Sequence, residues 1–103
     1  MIFRSESYRR LVATMPCIRC KRAGPSQAAH ANTAPFGKGG QIKANDWAVF
    51  PLCADRPGEL GCHSQHDRYL DGLSKSERID MEAMYIAQTF GALMSDGSLE
   101  VTA

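Results

Sequence analysis

Apolar positions along this chain recur with two different periods. Tyr8, Leu11, Val12 and Met15 fall at helical spacing and predict a short helix over residues 5–14. Ser5 or Ser7 can cap its start, and Pro16 stops it. Arg9 and Arg10 fall off its apolar face. Residues 27–33 (QAAHANT) and 47–52 (WAVFPL) read as strands that pair as a hairpin. The connection between them carries the glycine-rich run Pro35-Phe36-Gly37-Lys38-Gly39-Gly40. It lacks the spacing of a phosphate-cradling Walker loop, and reads as a plain hairpin connection. Residues 63–72 are polar, helix-compatible and closed by Gly72. Ser74-Lys75-Ser76-Glu77 has the form of a capping box and opens a last helix over about 75–94. Ile79, Ala83, Ile86, Phe90 and Leu93 give that helix one continuous apolar stripe, broadened by Met81, Met84 and Tyr85. Leu99-Glu100-Val101 can add a short edge strand.

A chain of 103 residues is a single domain, with a core over about 17–72 and the last helix packed on it. The element order makes it a small α+β fold. No apolar run approaches the roughly 20 residues that a membrane span needs. The start, MIFRSESYRR, lacks the apolar stretch of a signal peptide. These features point to the cytoplasm, with no membrane partner and no small-molecule cofactor. In that compartment thiols stay reduced, so four cysteines read as metal ligands before they read as two disulfides.

Charge is unevenly placed. Residues 1–43 hold eight Lys/Arg and one acid, a net +7, whereas residues 44–103 hold four Lys/Arg and ten acids, a net −6. The basic half, with Arg9, Arg10, Arg19, Lys21, Arg22, Lys38 and Lys43, suits a polyanion such as DNA. The competing reading is a solvated surface whose opposite charges meet in the fold.

Cys17-Ile18-Arg19-Cys20 has the spacing with which a tight turn wraps one metal ion. Cys53 and Cys62 are separated by eight residues, rich in Gly and Pro, that can loop out while both thiolates stay in reach. A structural zinc held by Cys17, Cys20, Cys53 and Cys62 is the expectation; the alternative is three cysteines completed by His63 or His66. A redox CxxC should follow a strand and open a helix. This one follows a helix and precedes a turn.

His30 lies mid-strand. His63, His66 and Asp67 cluster just after Cys62. On a helix, His63 shares a face with Asp67 four residues on, and with His66 three residues on. Either pair could chelate a cation. A hairpin histidine opposite such a helix is what metal-assisted phosphodiester hydrolysis requires: one base for water, and a divalent cation for the charge on the phosphorane and leaving oxygen.

Taken together, MPCIRC, AAHAN, GKGGQIKANDW and PLC followed by GCHSQHD resemble the HNH endonucleases with the ββα-metal fold, especially a small group common in phages and prophages. The resemblance runs from about Cys17 to Asp67. It implies a zinc-stapled ββα-metal core, a DNA-cleaving hydrolase, His30 as general base, and His63 and Asp67 as ligands of a catalytic Mg²⁺ or Mn²⁺, with His66 as the competing ligand. Asp46 is the nearest candidate for the family's central Asn. Two departures stand out. The position before the base, a metal ligand in many members, is Ala29, and the second cysteine pair is widely spaced. A zinc module that binds nucleic acid or protein without catalysis is the rival reading, and a redox zinc protein the third.

Overall fold

The computed structural model describes residues 2–100. The elements run α1 (Glu6–Ala13), β1 (Ser26–His30), a single 3-10 turn (Ala34–Phe36), β2 (Val49–Cys53), α2 (Cys62–Asp67) and α3 (Lys75–Ser95). The result is a small α+β fold with a two-stranded sheet and three helices.

Ser5 caps α1, its hydroxyl accepting from the Tyr8 amide; Glu6 in the first turn and Arg10 in the last complement the helix dipole. The strands pair antiparallel, with Ser26 opposite Cys53 and His30 opposite Val49. Both are shorter than the apolar runs suggested. One further bond, Ala31 N–H to Ala48 O at 2.9 Å, continues the pairing. Residues 32–33 then turn into the 3-10 segment, and Trp47 sits in the turn that precedes β2 with its ring edge-on to Phe36.

Every residue of β2 is buried. Successive side chains on a strand point to opposite faces. Val49 meets Val12 and Leu93, with Tyr8 and Leu11 of the first helix and Met15 just beyond it around them. Phe50 faces the other way, edge-on to His66 and Tyr85 with ring centroids 5.4 and 5.3 Å away. Leu52, Ala29, Ala31 and Ile86 complete that second cluster. Pro51 has no N–H to give, but its carbonyl accepts from the Ile18 amide at 2.9 Å and so ties the first cysteine turn to the sheet.

The capping box of α3 forms as expected from Ser74 and Glu77. Its buried stripe differs from the apolar one. Arg78, Glu82, Ile86, Thr89 and Leu93 are buried, whereas Ala83 and Met84 are exposed. Two charged residues can occupy the inner face because each is paired there. Arg78 binds both oxygens of Asp71, at 2.6 and 2.7 Å. Glu82 accepts three hydrogen bonds from β1's exit and from α2, described below. Leu99 lies in a bend that bonds back to Leu93 rather than in an edge strand, and Val101 lies outside the described residues. No helix among the described residues is long and apolar enough to cross a membrane.

Candidate functional site

The four cysteines converge. Their sulfurs all lie within 4.8 Å of one another, and none is in a disulfide. A tetrahedral zinc with bonds of about 2.3 Å places its sulfurs about 3.8 Å apart, and Cys20 Sγ to Cys53 Sγ is 3.8 Å. The donor set and its spacing therefore fit zinc. Local structure builds the two halves. The Cys17–Cys20 turn is closed by Lys21 N–H to Cys17 O at 2.9 Å, and Cys20 N–H points at Cys17 Sγ. In the second half, residues 54–61 loop out and return. Arg56 and Glu59 bond to each other across Pro57-Gly58, and Asp55 Oδ1 accepts from Gly61 N–H at 2.8 Å. At Gly61 the chain passes so close to Cys53 and Ala54 that a Cβ would lie 2.5 Å from their backbone atoms. That close approach brings Cys62 N–H to Cys53 Sγ at 3.3 Å. Burial raises the Cys17 thiol, but amide donors from Cys20, Cys53 and Arg19 outweigh it and bring the thiol down to about 7. Burial, then the neighbouring Cys53 and Cys17, push Cys62 up. Bound as thiolates, the four sulfurs could hold one metal ion such as zinc.

His30, at the end of β1, turns its Nε2 to Asp46 Oδ1 at 2.8 Å. Asp46 is almost completely buried and saturated with donors. Ser5 N–H and Arg9 Nε bind Oδ2 at 2.7 and 2.9 Å, and Arg4 binds Oδ1 at 3.1 Å. Burial would raise its pKa, but His30, the Ser5 amide, Arg4 and Arg9 together lower it to about 2. Facing an ionised carboxylate, His30 Nε2 carries a proton, which leaves Nδ1 as the basic nitrogen of the neutral ring. The N-terminal residues complete the arrangement: Phe3 bonds to Asn45 and Asp46 through its backbone, and Arg4 caps the carbonyls of Lys43 and Ala44.

On α2, His63 and Asp67 share a face. His63 Nδ1 lies 2.7 Å from Gln27 Oε1 and so donates to it. Its Nε2 is then a lone pair, 3.3 Å from Asp67 Oδ2. Burial lowers the His63 pKa, outweighing Asp67. A neutral imidazole nitrogen beside a carboxylate oxygen is an acceptor beside an acceptor. Two ligands of a cation at about 2.1 Å stand about 3.0 Å apart in octahedral and about 3.4 Å apart in tetrahedral geometry. The 3.3 Å separation lies within that range, as it does for an ordinary His–Asp pair one helical turn apart.

His66 does not join that pair, contrary to the expectation that it competes as a ligand. It faces the interior, only 1 % exposed. Its Nε2 lies 2.8 Å from Glu82 Oε2, and its Nδ1 is 3.2 Å from Asn32 Nδ2. Glu82, itself completely buried, also accepts from Asn32 N–H and Thr33 Oγ1, each at 2.6 Å. The helical register that puts Cys62 among the other three cysteines turns His66 into the core one turn on.

His30, His63, Asp67 and Asn32 line one cleft of about 740 Å³, together with Arg9, Arg10, Lys38 and Lys43. The cleft thus gathers four of the seven basic residues expected to meet a polyanion. Arg19, Lys21 and Arg22 are not among its lining residues; they sit on the first cysteine turn, where Arg22 is paired with Glu59 at 3.0 Å. Sequence reasoning missed Asn32, Gln27, Arg4 and Glu82. Only Asn32 carried a signal, because it follows His30 by two along an extended segment.

Among the described residues, the four cysteines are the one group of three or more His, Cys, Asp or Glu side chains close enough to share a metal ion. No protein-family model, no curated protein and no solved structure matches the chain.

Proposed function

We propose that this protein is a divalent-cation-dependent DNA endonuclease of the HNH type, with a ββα-metal core made of β1, β2 and α2 and stapled by a structural zinc. The observation that carries this reading is the disposition of His30. Its Nε2 is fixed on a buried, ionised Asp46, so its Nδ1 is the available base, and it shares a basic cleft with the His63–Asp67 pair. In this reading His30 Nδ1 takes a proton from water as the water oxygen attacks phosphorus and the bond to the 3′-oxygen breaks. His63 and Asp67 would hold a Mg²⁺ or Mn²⁺, which would supply charge stabilisation for the phosphorane and the leaving oxygen. Arg9, Arg10, Lys38 and Lys43 bind the flanking phosphates.

The experiment is nicking of supercoiled plasmid with Mg²⁺ or Mn²⁺ added. Cleavage by the wild type that falls roughly 10²- to 10⁴-fold in His30→Ala, with zinc content and DNA affinity kept, supports the reading. Each phosphate contact removed should reduce the salt slope of DNA binding by about one unit, so Lys38→Glu with Lys43→Glu should flatten it. One observation favours the rival, a zinc module that binds nucleic acid without cutting it: among the described residues, no three His, Asp or Glu side chains of the cleft lie close enough together to share a cation. DNA binding with no nicking under either cation would establish that rival.

A further inference from the structure

We infer that the Tyr69 ring is a stacking platform for one unpaired base of the DNA bound in the cleft. The preferred substrate is then DNA with a base out of its pair, such as a bulge or a frayed end, and intact duplex is the poorer one. The inference rests on the nuclease reading for the identity of the polymer.

Tyr69 stands where a side chain is ordinarily avoided. Helix α2 ends in a Schellman turn: the Tyr69 amide returns to the His66 carbonyl at 3.2 Å, and the Leu70 amide to the Gln65 carbonyl at 2.9 Å. The residue at this corner must be left-handed, and Tyr69 has φ of 56°. Glycine is the usual occupant, because a Cβ in that conformation crowds the following carbonyl. The turn itself needs no tyrosine. Bulky residues held in this region cluster at functional sites, where the strain serves binding.

The ring is exposed, yet it is held. The residue is 56 % exposed, while the Arg78 guanidinium carbon lies 4.3 Å from the ring centroid, over one face. Arg78 is itself fixed, being 3 % exposed and bound to both oxygens of Asp71. A buried, paired cation therefore backs one face of an exposed ring. Little side-chain freedom is left to lose when a partner arrives.

Tyr69 lines the same cleft as His30, His63 and Asp67, and Lys38 and Lys43 line it too. Lysines that meet phosphates do not distinguish a paired base from an unpaired one. An aromatic ring does, because it gains affinity by lying on a free base face. In an intact duplex those faces are stacked on each other. A ring wedged between two base pairs needs both of its own faces free, and Arg78 occupies one. Stacking on a single base that has left the duplex is the arrangement that remains.

The test uses zinc-loaded protein with no Mg²⁺ or Mn²⁺ added and two short duplexes of one sequence, each carrying 2-aminopurine. In one the 2-aminopurine is paired; in the other it is a single-base bulge. Wild type should bind the bulged duplex roughly 10- to 100-fold more tightly, as one stacked base commonly contributes, and should quench its fluorescence. Tyr69→Phe should keep both effects. Tyr69→Gly should lose both, yet bind the paired duplex within about twofold of wild type and melt within a few degrees of it, since glycine suits the turn. Tyr69→Asn, also tolerated in that conformation, is the second variant and should match Tyr69→Gly. Either variant retaining the preference and the quenching overturns the inference. Plasmid nicking with Mn²⁺, run in parallel, separates the two readings. Wild type that nicks plasmid but binds the two duplexes equally overturns this inference and leaves the nuclease reading standing. Wild type that prefers the bulge through Tyr69 but nicks nothing keeps this inference and removes the nuclease reading. Wild type that binds neither duplex removes both.

Discussion

His30 and Asp46 lie sixteen positions apart in sequence and meet at 2.8 Å, imidazole Nε2 on carboxylate Oδ1. Asp46→Asn keeps the shape but removes the charge that holds the imidazole and gathers Arg4 and Arg9. Nicking should fall at least tenfold while zinc stays bound. The same substitution has a pH signature. The carboxyl is held near 2, below its ordinary 3.8, so its stabilisation is present above about pH 4 and is lost as pH falls toward 2. A difference of this size corresponds to about 2 kcal/mol. Urea midpoints of wild type and Asp46→Asn should differ fully above pH 5 and converge in acid.

His63 and His66 should separate cleanly. Removing His66 leaves the Glu82 carboxylate buried without its imidazole, so His66→Ala should cost about 3–5 kcal/mol, as other broken buried pairs do. His63 is half-buried at the cleft wall. His63→Ala should change stability by less than about 1 kcal/mol, yet raise the Mn²⁺ concentration needed for half-maximal nicking. Thermal melts beside metal titrations of the two variants distinguish these outcomes.

Cys20 is exposed, so serine there disturbs no packing. Any loss in Cys20→Ser must come through the metal. A structural zinc contributes on the order of 10 kcal/mol to folding. The variant should carry no stoichiometric zinc and should unfold or aggregate; a folded Cys20→Ser protein with one zinc per chain counts against the four-cysteine site.

Tyr8 offers a test unrelated to the cleft. Its hydroxyl is buried with no hydrogen-bond partner among the described residues, and burial raises its pKa from 10 to about 12. The folded pKa lies above the unfolded one, so the associated stability is whole below pH 10 and is lost as pH rises through 12. Tyr8→Phe removes an unsatisfied group and should be neutral or stabilising by up to about 1 kcal/mol. Its alkaline unfolding limb should be flatter than that of wild type.

Element order, both caps and the convergence of four thiols were legible from local rules, because helix periodicity, a capping box and a CxxC turn are written within a few residues. The phase of α3 was not. Ala83 belongs to the apolar stripe by composition, yet Arg78 and Glu82 take the inner face. Their partners, Asp71, His66, Asn32 and Thr33, lie between 7 and 50 positions away. No periodicity reports such pairings. His66 was misplaced for the same reason: its spacing from His63 suits chelation as well as it suits a turn into the core, and only Glu82 decides between them. Asp46 stands in the sequence only as the nearest candidate for a central Asn, slightly too far ahead of Cys53; the turn at residues 46–48 folds it back beside the end of β1, where it meets His30.

The return at Gly61 has a consequence for tolerance to insertion and deletion. What positions Cys62 is the contact of Gly61 with the backbone of Cys53 and Ala54, not the length of the excursion between them. Each doubling of a flexible loop costs only about 0.6 kcal/mol. Residues 55–60 can therefore lengthen or shorten by several positions without displacing a thiol, provided that a glycine precedes the last cysteine. Two proteins could share this centre atom for atom while differing in the count between their second pair of cysteines, and the glycine would be the steadier landmark.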